Sequence, residues 1–315
     1  MASHKKSDGN LIYFGDNELV LQSLPSESVA LIYIDPPFNT RKTQTRSHLK
    51  TIRDKSGDRN GFKGQRYKTI YLEQRSFIDN LRDDFLDFLA PRLEEAKRIL
   101  TPNGSLYFHI DYREVHYCKI LLDRIFGREC FLNEIIWAYD YGARTKKKWP
   151  AKHDNILWYA KNPDDYIFNY DEIERIPYMA PGLVGPEKAA RGKLPTDTWW
   201  HTASSAAYWN ASAARGKLPT DTWWHTIVSP TGKEKTGYPT QKPLGILKRI
   251  IAASSRPGDT VLDFFAGSGT TGEAAYQLGR KFILVDNNKQ AIEVMRKRFA
   301  GMKEAKFVGG AAASL

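Results

Sequence analysis

Residues 260–286, TVLDFFAGSGTTGEAAYQLGRKFILVD, carry the clearest signature of the fold. An apolar run closes on a glycine turn, a helical pattern follows over TTGEAAYQLG, and a second apolar run, KFILVD, ends at Asp286. Strands that alternate with helices in this way build an open, doubly wound, mostly parallel α/β sheet. Gly267 and Gly269 allow a tight turn whose amides, at the start of a helix, can face a ligand carboxylate. Asp286 stands 17 residues beyond Gly269, at the end of the next strand, where a carboxylate can accept hydrogen bonds from ribose hydroxyls. These features specify a nucleoside cofactor. Gly267, Gly269 and Gly272 also match GxGxxG spacing, so dinucleotide binding stays open on glycines alone; the FxGSGTT wording, with Asp263 three residues before Ala266, argues against it.

Outward from this unit the same rhythm recurs. VALIYI (29–34) is continuously apolar, as expected of a strand covered on both faces, and LIYFGD (11–16) precedes it, with ELVLQSL (18–24) between. Apolar residues at helical spacing predict a helix within 77–100, stopped by Pro102 and Gly104, followed by a strand SLYFHI (105–110). EIIWAY (134–139) and NILWYA (155–160) read as a hairpin across a basic joint. Residues 39–70, polar, basic and poor in core residues, are expected to be a long mobile loop. From 161 to 236 periodicity fades. Within that stretch AARGKLPTDTWWHT occurs at 189–202 and again, unchanged, at 213–226. Solenoid repeats diverge and number three or more, so two identical copies suggest a recent duplication or an artefact. Trp199, Trp200, Trp223 and Trp224 read as core or as base-stacking residues.

Asp35-Pro36-Pro37-Phe38 follows VALIYI, at the strand end where open α/β sheets carry their ligand crevice. Two prolines fix successive φ angles near −65° and hold the Asp35 carboxylate and adjacent carbonyl in one orientation. An aromatic amine shares its lone pair with its ring, and acceptors on its N–H groups favour attack on a sulfonium methyl. Asp35 and the Pro36 carbonyl supply two acceptors, and Phe38 can stack on a base extruded from the duplex.

The chain has 315 residues, 41% hydrophobic and 26% charged, the balance of a globular protein. No apolar run reaches the roughly 20 residues needed to span a bilayer, and MASHKKSDGN lacks a secretory core, so the expected place is the cytoplasm. A net charge of +11 favours a polyanionic partner. Cys118 and Cys130 have no zinc spacing and read as reduced core thiols; scattered histidines, including His109 near Asp111, give no metal site.

DPPF, DFFAGSGTTG and TGYPTQKPLGILKRII (236–251) together resemble the amino-methylating DNA methyltransferases with permuted motif order, the β type. The resemblance implies a sheet of the S-adenosylmethionine-dependent methyltransferase type, catalysis by Asp35, Pro36, Pro37 and Phe38, and a cofactor site formed by Asp263, Phe265, Ala266, Gly267, Gly269 and Thr270. By the same likeness Lys242, Pro243, Asp286 and Asp16 also line that site. It implies transfer from S-adenosylmethionine to adenine N6 in double-stranded DNA with base flipping, as the modification methylase of a restriction–modification system. Residues 1–160 and 236–315 would then form the catalytic domain and 161–235 the inserted, irregular target recognition region. A homodimer and a cognate restriction endonuclease are the further partners such a methylase implies.

Cytosine N4 is the alternative acceptor, since Asp35 stands where cytosine enzymes more often carry Ser. Cytosine C5 chemistry needs a cysteine nucleophile, usually after proline, which Cys118 and Cys130 do not provide. A catalytically inactive DNA-binding module would need the basic stretches but no intact cofactor loop. Arg41, Lys42, Arg46, Arg144, Lys146, Lys147, Lys148 and Lys152 are the expected DNA contacts, against the alternative of solvated charge. Gly267 and Asp35 are expected beside one pocket despite their separation in sequence.

Overall fold

The computed structural model describes residues 9–39, 84–139, 146–173, 185–191, 236–238 and 240–309 in full, and the backbone alone of 42–53, 59–60, 66–79 and 198–200. In chain order the first half holds β1 (Asn10–Phe14), α1 (Asn17–Ser23), β2 (Val29–Ile34), β3 (Lys42–Arg53), β4 (Arg59–Asn60), β5 (Arg66–Asp79), α2 (Phe85–Ile99), β6 (Leu100–Asp111), α3 (Val115–Phe126), β7 (Phe131–Ala138) and β8 (His153–Ala160). The second half holds α4 (Pro186–Arg191), β9 (Thr198–Trp200), α5 (Leu244–Ser254), β10 (Thr260–Asp263), α6 (Thr270–Gln277), β11 (Lys281–Asp286), α7 (Lys289–Arg298) and β12 (Ala305–Gly309).

Nine of the strands form one sheet in the order β12-β1-β11-β10-β2-β6-β8-β7-β9. Pairing is parallel from β12 through to β6, antiparallel at β6–β8 and β8–β7, and parallel again at β7–β9. The hairpin expected of EIIWAY and NILWYA is the β7–β8 pair, with Ile136 opposite Asn155.

All six residues of β2 are buried, because both faces of the sheet are covered. Ile32 and Ile34 join a cluster with α1, α2 and α3 on one face. Leu31 points the other way, into a cluster with α5, α6 and α7. The strand therefore shows no apolar–polar alternation.

Strands from the two ends of the chain are interleaved in this sheet. The N-terminal strand β1 lies between β11 and β12, and β2 lies against the C-terminal β10, with Val261 beside Leu31. From β10 the chain winds outward through α6 to β11, whereas from β2 it continues to β6 on the opposite side. The β10–β2 boundary is thus the topological switch point, where a crevice opens beyond the strand ends.

Two expectations are corrected. Residues 39–70 are not one long loop: β3 and β5 pair antiparallel from Lys42↔Asp79 to Arg53↔Tyr67, with β4 beside them, as a separate three-stranded sheet. KTQTRSHLKTIR is almost wholly polar in sequence, so a count of core residues misses it. The helix sought in 77–100 begins only at Phe85, because Phe77 belongs to β5. Chain beyond residue 160 still packs on the main sheet and its helices. Asn169 donates through Nδ2 to the carbonyls of Ala252 and Ser255, and Ile167 and Ile173 are buried.

Of the first copy of the duplicated segment, residues 189–191 end α4 and 198–200 form β9. The second copy lies outside the described residues, as do the side chains of Trp199, Trp200, Trp223 and Trp224. Cys118 and Cys130 are free and buried. Among the described residues no helix is long and apolar enough to cross a membrane, and no His/Cys/Asp/Glu cluster could hold a metal.

Candidate active site

Two turns enter the crevice, one after β10 and one after β2. They line one cavity of about 790 Å³, within the roughly 300–1,000 Å³ of small-molecule sites. Asp35 and Gly267 both face it, as the sequence led us to expect.

The turn after β10 is held from inside. Asp263 accepts from the Phe265 amide at 3.0 Å and from the Thr271 hydroxyl at 2.6 Å. Its role is to shape the loop. Burial raises its pKa to about 7; those two hydrogen bonds oppose the rise, and the charges of Asp35 and Asp286 add to it. Gly267 (φ 51°) and Gly269 (φ 75°) occupy the left-handed region that glycine enters without steric cost. A Cβ on Gly269 would meet Met295 Cγ at 2.8 Å, and one on Gly272 would meet Leu284 Cδ1 at 2.7 Å, so these glycines let α6 pack closely on α7 and β11. Asp286 accepts from the amides of Gly267 and Asn288, both at 2.8 Å, and burial raises its pKa to about 6.

Asp16 lines the cavity from the start of α1, where its carboxylate caps the helix by accepting from the Glu18 amide at 2.8 Å. Phe265, Ala266, Thr270 and Lys242 also face the cavity, whereas Gly269 lies behind the turn and Pro243 caps α5 outside it.

Pro36, Pro37 and Phe38 line the other wall. The Lys242 Nζ reaches Asp35 Oδ2 at 2.5 Å and lies 4.9 Å from the Phe38 ring centre. The sequence led to Lys242 as a cofactor residue; the structure brings it to the Asp35 carboxylate. Asp35 Oδ1 is buried and has no hydrogen-bond partner among the described residues, an arrangement that costs about 1–3 kcal/mol until a donor arrives.

Several contributors were not anticipated. Behind Phe38 lies His109, fully buried, its ring 5.7 Å from that of Phe38. Its Nδ1 is 2.8 Å from the Tyr33 hydroxyl and its Nε2 is 3.3 Å from Asp154 Oδ2. The sequence paired His109 with Asp111, but Asp111 turns to Arg113 instead. A lone histidine inside the apolar run SLYFHI was the available signal. Tyr238 is packed against Gly267, within 3.1 Å of where a Cβ would stand. Arg92 donates to Asn17 Oδ1 at 2.6 Å, and Asn17 donates to the Phe264 carbonyl at 2.8 Å, which ties α2 and α1 to the glycine turn.

The expected DNA contacts separate. Lys146, Lys147 and Lys148 are exposed beside Trp149, and Lys148 lies 5.7 Å from the Tyr112 ring. Lys152 departs from the expected stripe: it is 7% exposed, packed in at the entry to β8, so it does not present its ammonium on the open surface. Lys42 and Arg46 are on β3 with side chains outside the described residues, as are Arg41 and Arg144 entirely.

The chain matches the family model described as DNA methylase over residues 29–297. It is 30% identical over 296 residues to the DNA adenine methyltransferase YhdJ of Escherichia coli K12, covering 93% of this chain and 83% of that one. It is also 30% identical over 279 residues to the Type II methyltransferase M.HpaI of Haemophilus parainfluenzae, covering 88% and 70%. Among solved structures the fold is similar to the M1.HpyAVI–SAM complex, with TM-score 0.52 and 21% identity over 92% of this chain and 98% of that one. PvuII DNA methyltransferase, cytosine-N4-specific, gives TM-score 0.57 at 16% identity over 92% and 86%.

Proposed function

The chain belongs to the DNA methylase family, and on that premise we propose that it transfers a methyl group from S-adenosylmethionine to the N6 amino group of adenine in double-stranded DNA. The observation that carries this reading is Asp35 Oδ1, a buried acceptor without a donor, in the same cavity as the Gly267 turn and Asp286.

The residues present fit the cofactor. Gly267 presents a turn that a side chain would obstruct, Asp286 retains lone pairs for hydroxyl donors, and Asp16 offers a carboxylate at the cavity rim. When bound there, S-adenosylmethionine supplies a methyl on a positively charged sulfur. Asp35 accepts a hydrogen bond from the adenine amino group, which keeps the nitrogen lone pair out of the ring and directed at that methyl. Phe38 stacks on the flipped base. On accepting the methyl that S-adenosylmethionine would supply, the amino group would lose one proton, and Asp35 is placed to receive it. Lys242 must leave Asp35 Oδ2 if both oxygens are to serve the amine.

Adenine is favoured over cytosine N4 by Asp35 and by the adenine methyltransferase of Escherichia coli among the relatives. Residues beyond 173 and before 236 are the target recognition region in this reading. A homodimer and a cognate restriction endonuclease complete it, the first testable by light scattering. Labelled methyl transfer to duplex DNA with nucleoside analysis of the product tests the whole: N6-methyladenine supports it, N4-methylcytosine replaces the acceptor, and no methylated base overturns it.

A further inference from the structure

Tyr33, Asp35 and His109 come together because β2 and β6 run side by side in parallel register, with Tyr33 beside Tyr107 and Ile34 beside Phe108. The next positions along bring Asp35 and His109 abreast, and Asp154 enters from the start of β8, which pairs with β6 on its other side. The imidazole is fully buried and sits between two carboxylates: Asp154 Oδ2 at 3.3 Å from Nε2 and Asp35 Oδ1 at 3.7 Å from Nδ1. The rings of Phe38 and Trp137 enclose it, and the Tyr139 hydroxyl donates to Asp154 Oδ1 at 3.1 Å.

The placement of protons follows from the partners. Burial alone would raise the Asp154 pKa. Its hydrogen bonds with His109 and the Tyr139 hydroxyl, together with the Lys242 charge, oppose that, and its pKa lies below the ordinary value. Asp154 is therefore an acceptor, and Nε2 must carry the proton that faces it. Burial, with the charges of Asp35, Asp263 and Asp154, holds the Tyr33 hydroxyl far above its usual pKa, so Tyr33 stays a donor. Its hydroxyl, 2.8 Å away, then donates to the Nδ1 lone pair. Nδ1 has no proton to give Asp35 Oδ1, which stays unpaired.

We propose that Asp154, His109 and Tyr33 form a positioning relay that fixes His109 as its Nε2–H tautomer and so keeps Asp35 Oδ1 free to accept the substrate's amino group. The other tautomer would aim Nδ1–H at Tyr33 and Asp35, supply the donor that the adenine should supply, and set two lone pairs against each other at Asp154. His109 touches neither base nor cofactor; it acts through Asp35 and through the Phe38 ring it supports. This inference rests on Asp35 being the amine acceptor.

The test is Asp154→Asn, whose amide N–H₂ can donate to Nε2 and so transfer the proton to Nδ1. The His109 ring nitrogens are read by ¹⁵N NMR, alongside single-turnover methyl transfer and S-adenosylmethionine affinity. The expected result is an Nε2–H tautomer in the wild type, an Nδ1–H tautomer in the variant, and transfer slowed about tenfold to a hundredfold with cofactor Kd unchanged within about twofold. A wild-type Nδ1–H tautomer, undiminished transfer after the tautomer flips, or a rate loss matched by lost cofactor affinity would each overturn the relay. Should Asp154→Asn fail to fold, His109→Phe must slow transfer and His109→Gln must restore part of it, because a glutamine carbonyl can accept from Tyr33 while its amide donates to Asp154. Equal rates for the two variants contradict the proposal. Wild-type protein that methylates no DNA removes the functional reading itself, an outcome separate from a wild type that methylates and an Asp154→Asn variant that does so equally well.

Discussion

Around the turn after β10, each carboxylate oxygen of Asp263, at its start, and of Asp286, at the end of β11, has a donor within the protein: the Phe265 amide and Thr271 hydroxyl for one, the Gly267 and Asn288 amides for the other. In the turn after β2, Asp35 has Lys242 on one oxygen and, among the described residues, no hydrogen-bond donor on the other. The two turns stand at the ends of neighbouring strands and face the same cavity. The first is a finished cradle whose shape does not wait for a ligand. The second is stabilised only when its missing donor arrives, so its binding energy goes to the reacting group. Damage to the first should therefore appear in stability and cofactor binding, and damage to the second in chemistry.

Four outcomes bear on that division. Asp35→Ala has the largest expected effect: methyl transfer falls by about 10²-fold to 10⁴-fold, while thermal stability falls only modestly, because loss of the Lys242 ion pair is offset by removal of a buried acceptor that has no donor. A large drop in Tm in a calorimetric scan would contradict the division. Next, Gly269→Ala places a Cβ at φ 75° and 2.8 Å from Met295 Cγ, and should cost about 1–3 kcal/mol in denaturant unfolding. A variant as stable as wild type would mean that the turn is not rigid.

The third outcome concerns pH. Burial raises the Asp286 pKa to about 6, and protonation removes acceptors from a site that must receive hydroxyl donors. Cofactor affinity should fall as pH drops through about 6, by at most about tenfold per unit for one proton, and Asp286→Asn should flatten the profile. Stability of the cofactor-free protein runs the other way. Asp286 and Asp263, with pKa values raised to about 6 and about 7, hold protons that an unfolded chain releases near pH 4, so these groups make stability fall as pH rises from about 4 to 7. Urea titrations across that window measure the slope.

The smallest effect is expected of replacing Lys146, Lys147 and Lys148 together with alanine. They lie outside the cavity and are exposed. DNA affinity should weaken for all sequences alike, and the salt slope should fall by about one unit for each phosphate that is no longer neutralised. Equal salt slopes would leave these lysines as solvated charge.

How much of this was legible in the sequence depended on how local each signal was. VALIYI, KFILVD and the glycine turn could be read because each feature is complete within a few residues. The β3–β5 ribbon could not, since KTQTRSHLKTIR has no apolar run and the strands are recognisable only by their backbone pairing. DPPF was readable as a motif, but its support was not. Tyr33, His109 and Asp154 are joined only by strand register, and no spacing in the chain places Asp154 behind Asp35. Lys242 shows the same limit: its motif suggested the cofactor, and only the fold brings it across 207 positions to Asp35.

Cradle and reacting group are separated most cleanly by measuring equilibrium S-adenosylmethionine binding and methyl transfer in parallel for Asp35→Ala and Gly267→Val. A double dissociation is expected: Asp35→Ala binds the cofactor within about threefold of wild type yet forms almost no N6-methyladenine, because only the transferring step uses Oδ1. Gly267→Val, with a side chain forced at φ 51° against Tyr238, loses the cofactor first. Cofactor binding abolished in Asp35→Ala, or retained at full strength in Gly267→Val, would contradict the division.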